Sequence, residues 1–120
     1  MWIFNTDGFF SISISIKDQN LIQVRARKKH DLKNAANNID PNLKIHEYSG
    51  SDYRYRIYIT RKQLEDYMVF TAKNIDYSNF KNAVHKKDME EEMDKKLLDE
   101  KMDSYFNVWR IMHRYQEMEV

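Results

Sequence analysis

Phe10-Ser11-Ile12-Ser13-Ile14-Ser15-Ile16 alternates apolar and polar residues without a break. Strict period-two alternation of this length is the signature of a β-strand with one face buried. Phe10, Ile12, Ile14 and Ile16 are expected inward, and Phe9, Ser11, Ser13 and Ser15 outward. Gly8 interrupts the run that begins at Trp2, which suits either a bulge or a tight turn. Residues 17–20 (Lys-Asp-Gln-Asn) are turn chemistry, and residues 21–27 return as a second strand. Asp31 is placed to cap a short helix through about Asn38, which the segment 37–42 with its single proline ends.

The same order recurs further on. Residues 43–48 read as a strand, Ser49-Gly50-Ser51-Asp52 as a turn and residues 53–59 as another strand. Thr60-Arg61-Lys62-Gln63 matches a capping box, and the helix that it opens carries Leu64, Tyr67, Met68, Thr71, Ala72 and Ile75 on one side. Each ββα unit closes on Asn-Ile-Asp, at 38–40 and 74–76. The expected fold is α+β: a four-stranded antiparallel sheet in ββαββα order with helices on one face.

Asp76 or Ser78 caps a further short helix, from Asn79 to about Lys86. From Asp88 onward Met89, Met93, Leu97, Met102, Tyr105, Phe106, Trp109, Met112 and His113 recur at helical spacing. Unbroken to Gln116, such a helix is about 40 Å long, with Ser104 as a second N-cap if it divides. The part before Ser104 is dominated by charge. The aromatic part after it is expected to dock on the core. The chain thus reads as one domain over 1–120, with a ββαββα core over 1–76 and a C-terminal helical segment over 77–120.

Composition narrows the function classes. The 120 residues are 42% apolar and 32% charged, with a net charge of +1. An anion site must therefore come from local arrangement rather than bulk charge. Cysteine is absent, which excludes disulfides and thiolate metal sites. No apolar run approaches the roughly 20 residues of a membrane span, and the first residues lack a signal-peptide pattern. A cytoplasmic protein without a membrane partner is expected.

The strongest functional feature is arginine on alternate strand positions. In Val24-Arg25-Ala26-Arg27 and in Tyr53-Arg54-Tyr55-Arg56-Ile57-Tyr58-Ile59, Val24, Ala26, Ile57 and Ile59 face a core. Arg25, Arg27, Arg54 and Arg56 then share the other side. A guanidinium is a planar fork of donors that suits phosphate. Phe9 and Tyr58 lie on that same outward surface, with serines of the first strand beside them. Rings beside arginines on an open sheet are what a nucleotide or single-stranded nucleic acid requires. The competing expectation is that these arginines pair with acidic residues of the C-terminal helix, or simply keep the sheet soluble.

A second candidate anion site is the helix start at Ser78, Asn79 and Lys81, against a plain cap with Tyr77 and Phe80 in the core. Arg27, Lys28, Lys29 and His30 extend the positive patch or form a solvated loop. The histidines His30, His46, His85 and His113 hold no metal-ligand spacing, and no phosphate loop, nucleophile elbow or converging carboxylates occur. No catalytic residue, metal or cofactor is expected; phosphodiester cleavage by His30 or His113 is the minority enzymatic reading. The narrow seam Met89, Met93, Leu97 suits a two-helix contact, hence a homodimer or a partner protein held by the C-terminal helix.

Several stretches resemble a family of small uncharacterised proteins of bacteria and their viruses. They are Met1-Trp2-Ile3-Phe4 with Gly8-Phe9-Phe10-Ser11, then Val24-Arg25-Ala26-Arg27, then Tyr53-Arg54-Tyr55-Arg56. Ile75-Asp76-Tyr77-Ser78-Asn79-Phe80-Lys81-Asn82-Ala83-Val84 and Tyr105 with Val108-Trp109 complete the set. The resemblance implies a shared fold and marked positions, without an established activity. The charged run 86–103 is where this chain looks longer than its relatives. A viral origin would suit an inhibitor that docks on a host defence protein.

Overall fold

Asn5-Thr6-Asp7-Gly8 reverses the chain in two residues, and this turn sets the sheet apart from its expected form. In the computed structural model, which describes residues 1–119, Asn5 Oδ1 accepts from the backbone N–H groups of Asp7 and Gly8 at 2.9 and 3.2 Å. This side-chain turn joins β1 (Trp2–Asn5) to β2 (Gly8–Ile14). Trp2 to Ile14 is therefore a hairpin, with Phe4 opposite Phe9, and the strand count rises from four to five. The remaining strands are β3 (Ile22–Ala26), β4 (His46–Glu47) and β5 (Tyr55–Ile59), all antiparallel in the spatial order β1-β2-β3-β5-β4.

The helices are α1 (Lys29–Ile39), α2 (Arg61–Lys73), α3 (Phe80–Glu90) and α4 (Lys95–Gln116). The element order is thus βββαββααα in place of the expected ββαββα core, while the α+β class and the antiparallel sheet stand as read from the sequence. The chain forms two compact units, the first Met1–Asp76 and the second beginning at Tyr77.

In the first unit α1 lies on β2, β3 and β5, and α2 lies against α1. Phe10, Ile12, Val24, Ile57 and Ile59 meet Leu32, Ala35, Ala36 and Tyr67 in one buried cluster. Burial of these side chains, each worth about 1.5–3 kcal/mol when large, fixes which sheet face is inward. Ile14 and Ile16 depart from expectation: they are 51% and 89% exposed and lie outside this cluster, although Ile14 stands opposite the buried Ile22. The strand expected over 43–48 shortens to two residues. Leu43 and Ile45 still pack on the core, but from irregular backbone after Pro41.

The helix ends follow from named groups. Thr60 and Gln63 form the expected capping box, with bonds of 3.1 and 2.8 Å. Tyr67 is the buried residue of α2, with Leu64 and Met68 partly so; Ala72 and Ile75 are exposed. Asp31 does not cap α1. The helix begins two residues earlier, with Lys28 at the cap position, and Asp31 instead accepts from the Phe9 N–H at 3.2 Å.

In the second unit the short helix runs past its expected end near Lys86 to Glu90, the break before the long helix falls at Glu92, and α4 does not divide at Ser104. Glu92 adopts a left-handed φ of 58°, and the N–H groups of Glu92 and Met93 return to Met89 and Asp88 carbonyls at 3.0 Å. Those two bonds make a Schellman end to α3. Ser104 lies within α4, its hydroxyl donating to the Glu100 carbonyl at 2.8 Å. Met89, Met93 and Leu97 accordingly fall on α3, the turn and α4, so they form no continuous one-helix seam. Of the aromatic end of α4, expected to be packed, Phe106, Trp109, Ile111, Met112 and Tyr115 are exposed. Leu98 is the buried residue of that helix.

Candidate ligand-binding face

One cross-strand row runs through all five strands on the face away from the core. Trp2 stands opposite Ser11, Ser11 opposite Arg25, Arg25 opposite Arg56, and Arg56 opposite His46. Directly paired residues of antiparallel strands project to the same side. Val24, opposite Ile57, points the other way into the core. The alternation in the sequence therefore delivers both arginines to the outward face, side by side at its centre. One row further along, Gln23 donates to Ser13 Oγ at 2.9 Å and faces Tyr58.

Each central guanidinium is held by a serine. Arg25 Nη2 donates to Ser11 Oγ and Arg56 Nη2 to Ser51 Oγ, both at 2.8 Å. The Nε atoms of both are buried and lack a hydrogen-bond partner among the described residues. Rings take up the guanidinium planes: Arg25 and Arg27 lie 4.7 and 4.1 Å from the Tyr53 centroid, and Arg56 lies 4.8 Å from that of Tyr48. Such cation–π contacts contribute about 0.5–2 kcal/mol each and leave the charges intact. Among the described residues no carboxylate forms an ion pair with Arg25, Arg27, Arg54 or Arg56. Arg25 and Arg56 are half-buried; Arg27 and Arg54 are exposed.

Aromatic groups stand at both ends of the arginine block. On the β1–β2 side Phe4 stacks on Phe9 at 4.3 Å, and Trp2 meets Phe9 edge-on at 5.9 Å. On the β4–β5 side His46 meets Tyr58 edge-on at 5.3 Å, and the Tyr48 and Tyr58 hydroxyls are 3.0 Å apart. Burial, with the Tyr48 hydrogen bond second, holds the Tyr58 phenol above its ordinary ionisation range. Phe9 and Tyr58 thus lie where alternation puts them. Ser11 is among the first-strand serines expected beside them, whereas Trp2, His46, Tyr48, Tyr53 and Ser51 join them without having been singled out as ligands. Tyr53 precedes β5, so strand parity does not govern it, and it is buried 6.5 Å from Phe9.

The second candidate, at the start of α3, is built differently. Asn79 is the N-cap and accepts from the Asn82 N–H at 2.9 Å, while Ser78 is exposed. The Lys81 ammonium lies over Phe106 and Trp109 of α4, 5.2 and 5.6 Å from their centroids. Phe80 stacks on Tyr105 at 6.2 Å. Asn79 and Lys81 are thus engaged within the helix pair itself. Of the basic run, Arg27 stacks on Tyr53 and Phe9, and His30 Nε2 lies 3.3 Å from Asn34.

A buried polar cluster ties the β1–β2 turn to both helices of the first unit. Tyr67 donates to Asp7 at 2.6 Å, Asn38 donates to the same carboxylate at 3.1 Å, and Asn5 donates to the Tyr67 oxygen at 2.9 Å. Burial first, then the Asp7 charge, drives the Tyr67 phenol far above its ordinary ionisation range. It is a fixed donor rather than a base. Gly8 sits against the Asp31 carboxylate so closely that a Cβ would lie 2.7 Å from Oδ2. This cluster orients the hairpin that carries Trp2, Phe9 and Ser11. Comparisons of the chain with protein-family models, with curated proteins and with solved structures find no match.

Proposed function

We propose that this protein is a non-catalytic binding protein whose outward sheet face holds a phosphate-bearing ligand, a nucleotide or a single-stranded nucleic acid. The observation that carries the reading is the facing pair Arg25 and Arg56, which has no carboxylate partner among the described residues. Like charges directly opposite on neighbouring strands are destabilising, and an anion between them removes that cost. Arg27 and Arg54 extend the charge, and aromatic groups stand at both ends of the block, Trp2 with Phe9 on one side and Tyr58 with His46 on the other. Calorimetric titration of the full chain with nucleotides and oligonucleotides tests this. Replacing all four arginines by glutamine is expected to abolish binding, and wild-type binding should weaken as salt rises, as phosphate contacts do. Undiminished binding by the four-fold variant removes the proposal.

A second reading, a protein-interaction module such as a virus-encoded inhibitor of a host protein, rests on the exposed aromatic end of α4. Trp109, Ile111, Met112 and Tyr115 are each more than half exposed, and grouped exposed apolar side chains mark interaction surfaces. Under this reading Trp109→Ser with Met112→Ser ends capture of the partner, or self-association in sedimentation, while ligand binding by the arginines persists.

A further inference from the structure

We infer that the ligand is a strand of several nucleotides lying across the sheet from β1 to β4, rather than a free mononucleotide. The inference rests on the phosphate-binding reading above and deepens it. Its basis is the order of chemistry along the row Trp2–Ser11–Arg25–Arg56–His46: ring, hydroxyl, two cations, ring. Four inter-strand steps separate the ends, roughly 19 Å at about 4.8 Å per step. The charged centre is therefore flanked on both sides by stacking surface.

A mononucleotide has one base and reaches one end. A polynucleotide places phosphates over the central arginines and a base at each side. Arg27, just past the end of β3, lies over the same Tyr53 ring as Arg25 and adds a third cation, so the block can meet more than one phosphate. Trp2 is 72% exposed and so has ring surface free for a base. Phe4 and Phe9, by contrast, are stacked on each other. At the other end the His46 ring lies beside Tyr58. Stacking platforms that flank a cationic track are the general solution for binding single strands with little sequence preference.

Fluorescence anisotropy of the full chain tests this, with thymidine monophosphate and labelled thymidylate oligomers from the dimer to the octamer as probes. Affinity is expected to climb with length and then level off once both ends are occupied. Trp2→Ala and His46→Ala should each weaken octamer binding roughly five- to a hundredfold, as loss of one stacked base does, and by more than they weaken monophosphate binding. Equal affinity for monophosphate and octamer, with the arginines still required, overturns the strand and leaves the phosphate site standing. Octamer binding indifferent to both substitutions overturns it as well. Failure of every probe to bind removes both readings together.

Discussion

Arg25 and Arg56 stand directly opposite each other on β3 and β5, and each gives a terminal nitrogen to a serine of a different segment, Ser11 in β2 and Ser51 before β5. The serines fix the two cations without neutralising them. A hydroxyl accepts a hydrogen bond but carries no charge, so the pair remains repulsive. The face is held together instead by Tyr53 and Tyr48, whose rings lie against the guanidinium groups.

The repulsion is measurable by a double-mutant cycle. Arg25→Gln and Arg56→Gln each relieve it once, as does the double variant. The double variant should therefore be less stable than the sum of the single effects by about 0.2–1 kcal/mol. Urea denaturation in a low-salt, phosphate-free buffer reads this term, which should shrink toward zero on addition of inorganic phosphate. A term of zero in both buffers would show that the facing cations do not interact.

Tyr53 supplies a sharper contrast. Its ring is packed against Arg25 and Arg27, yet its hydroxyl is buried with no hydrogen-bond partner among the described residues. Removing an orphan polar atom relieves its desolvation cost. Tyr53→Phe should leave stability unchanged or raise it by up to about 1 kcal/mol, whereas Tyr53→Ala should cost about 3–5 kcal/mol, as loss of a buried ring does. Denaturant midpoints of the two variants decide.

Period-two alternation was sufficient to put Arg25 and Arg56 on one face and Val24 and Ile57 on the other, because strand geometry is local. The capping box at Thr60 was equally legible, since its two bonds join residues three apart. What escaped sequence reading depends on distant partners or on unmarked turns. Trp2 and His46 join the row only through pairings with Ser11 and Arg56, and neither pairing leaves a local trace. Asn5 and Asp7 carry no local mark of their role, although α1 and α2 make them the centre of a buried cluster. The α3 end was missed because Glu92, not glycine, holds the left-handed position.

That position gives a prediction of its own. A non-glycine residue in the left-handed region costs roughly 1–2 kcal/mol, and no β-carbon is needed for the two bonds that close α3. Glu92→Gly is expected to stabilise the protein by about 1 kcal/mol, seen as a higher denaturation midpoint. A lower midpoint would mean that the Glu92 side chain contributes more than its backbone costs.

Gly8→Ala should act in the opposite direction. The added methyl meets the Asp31 side chain, whose carboxylate accepts from Phe9 N–H at 3.2 Å, and φ at Gly8 is +156°. Neither the helix-borne Asp31 nor the hairpin can yield without loosening the other. A loss of about 2–4 kcal/mol is expected, in the range of overpacked and strained sites. Thermal denaturation showing less than half a kcal/mol of change, on the order of an ordinary surface substitution, would contradict the close approach.

Tyr67 sets the alkaline limit of stability. Burial, reinforced by Asp7, keeps its phenol protonated in the folded chain beyond the usual tyrosine range, while in the unfolded chain it loses its proton near the ordinary value of about 10. Above that pH the unfolded state binds fewer protons than the folded state, so unfolding becomes more favourable as pH rises. The stabilisation is complete below pH of about 10 and declines above it. Tyr67→Phe removes the donor to Asp7 and the acceptor for Asn5, so at neutral pH it should cost about 1–3 kcal/mol. It also removes the titrating group, and its stability should therefore fall less steeply than that of the wild type between pH 9 and 11, on either side of the tyrosine value. Urea midpoints at neutral and alkaline pH give both quantities; parallel curves for the two proteins would show that Tyr67 ionises no later when folded than when unfolded.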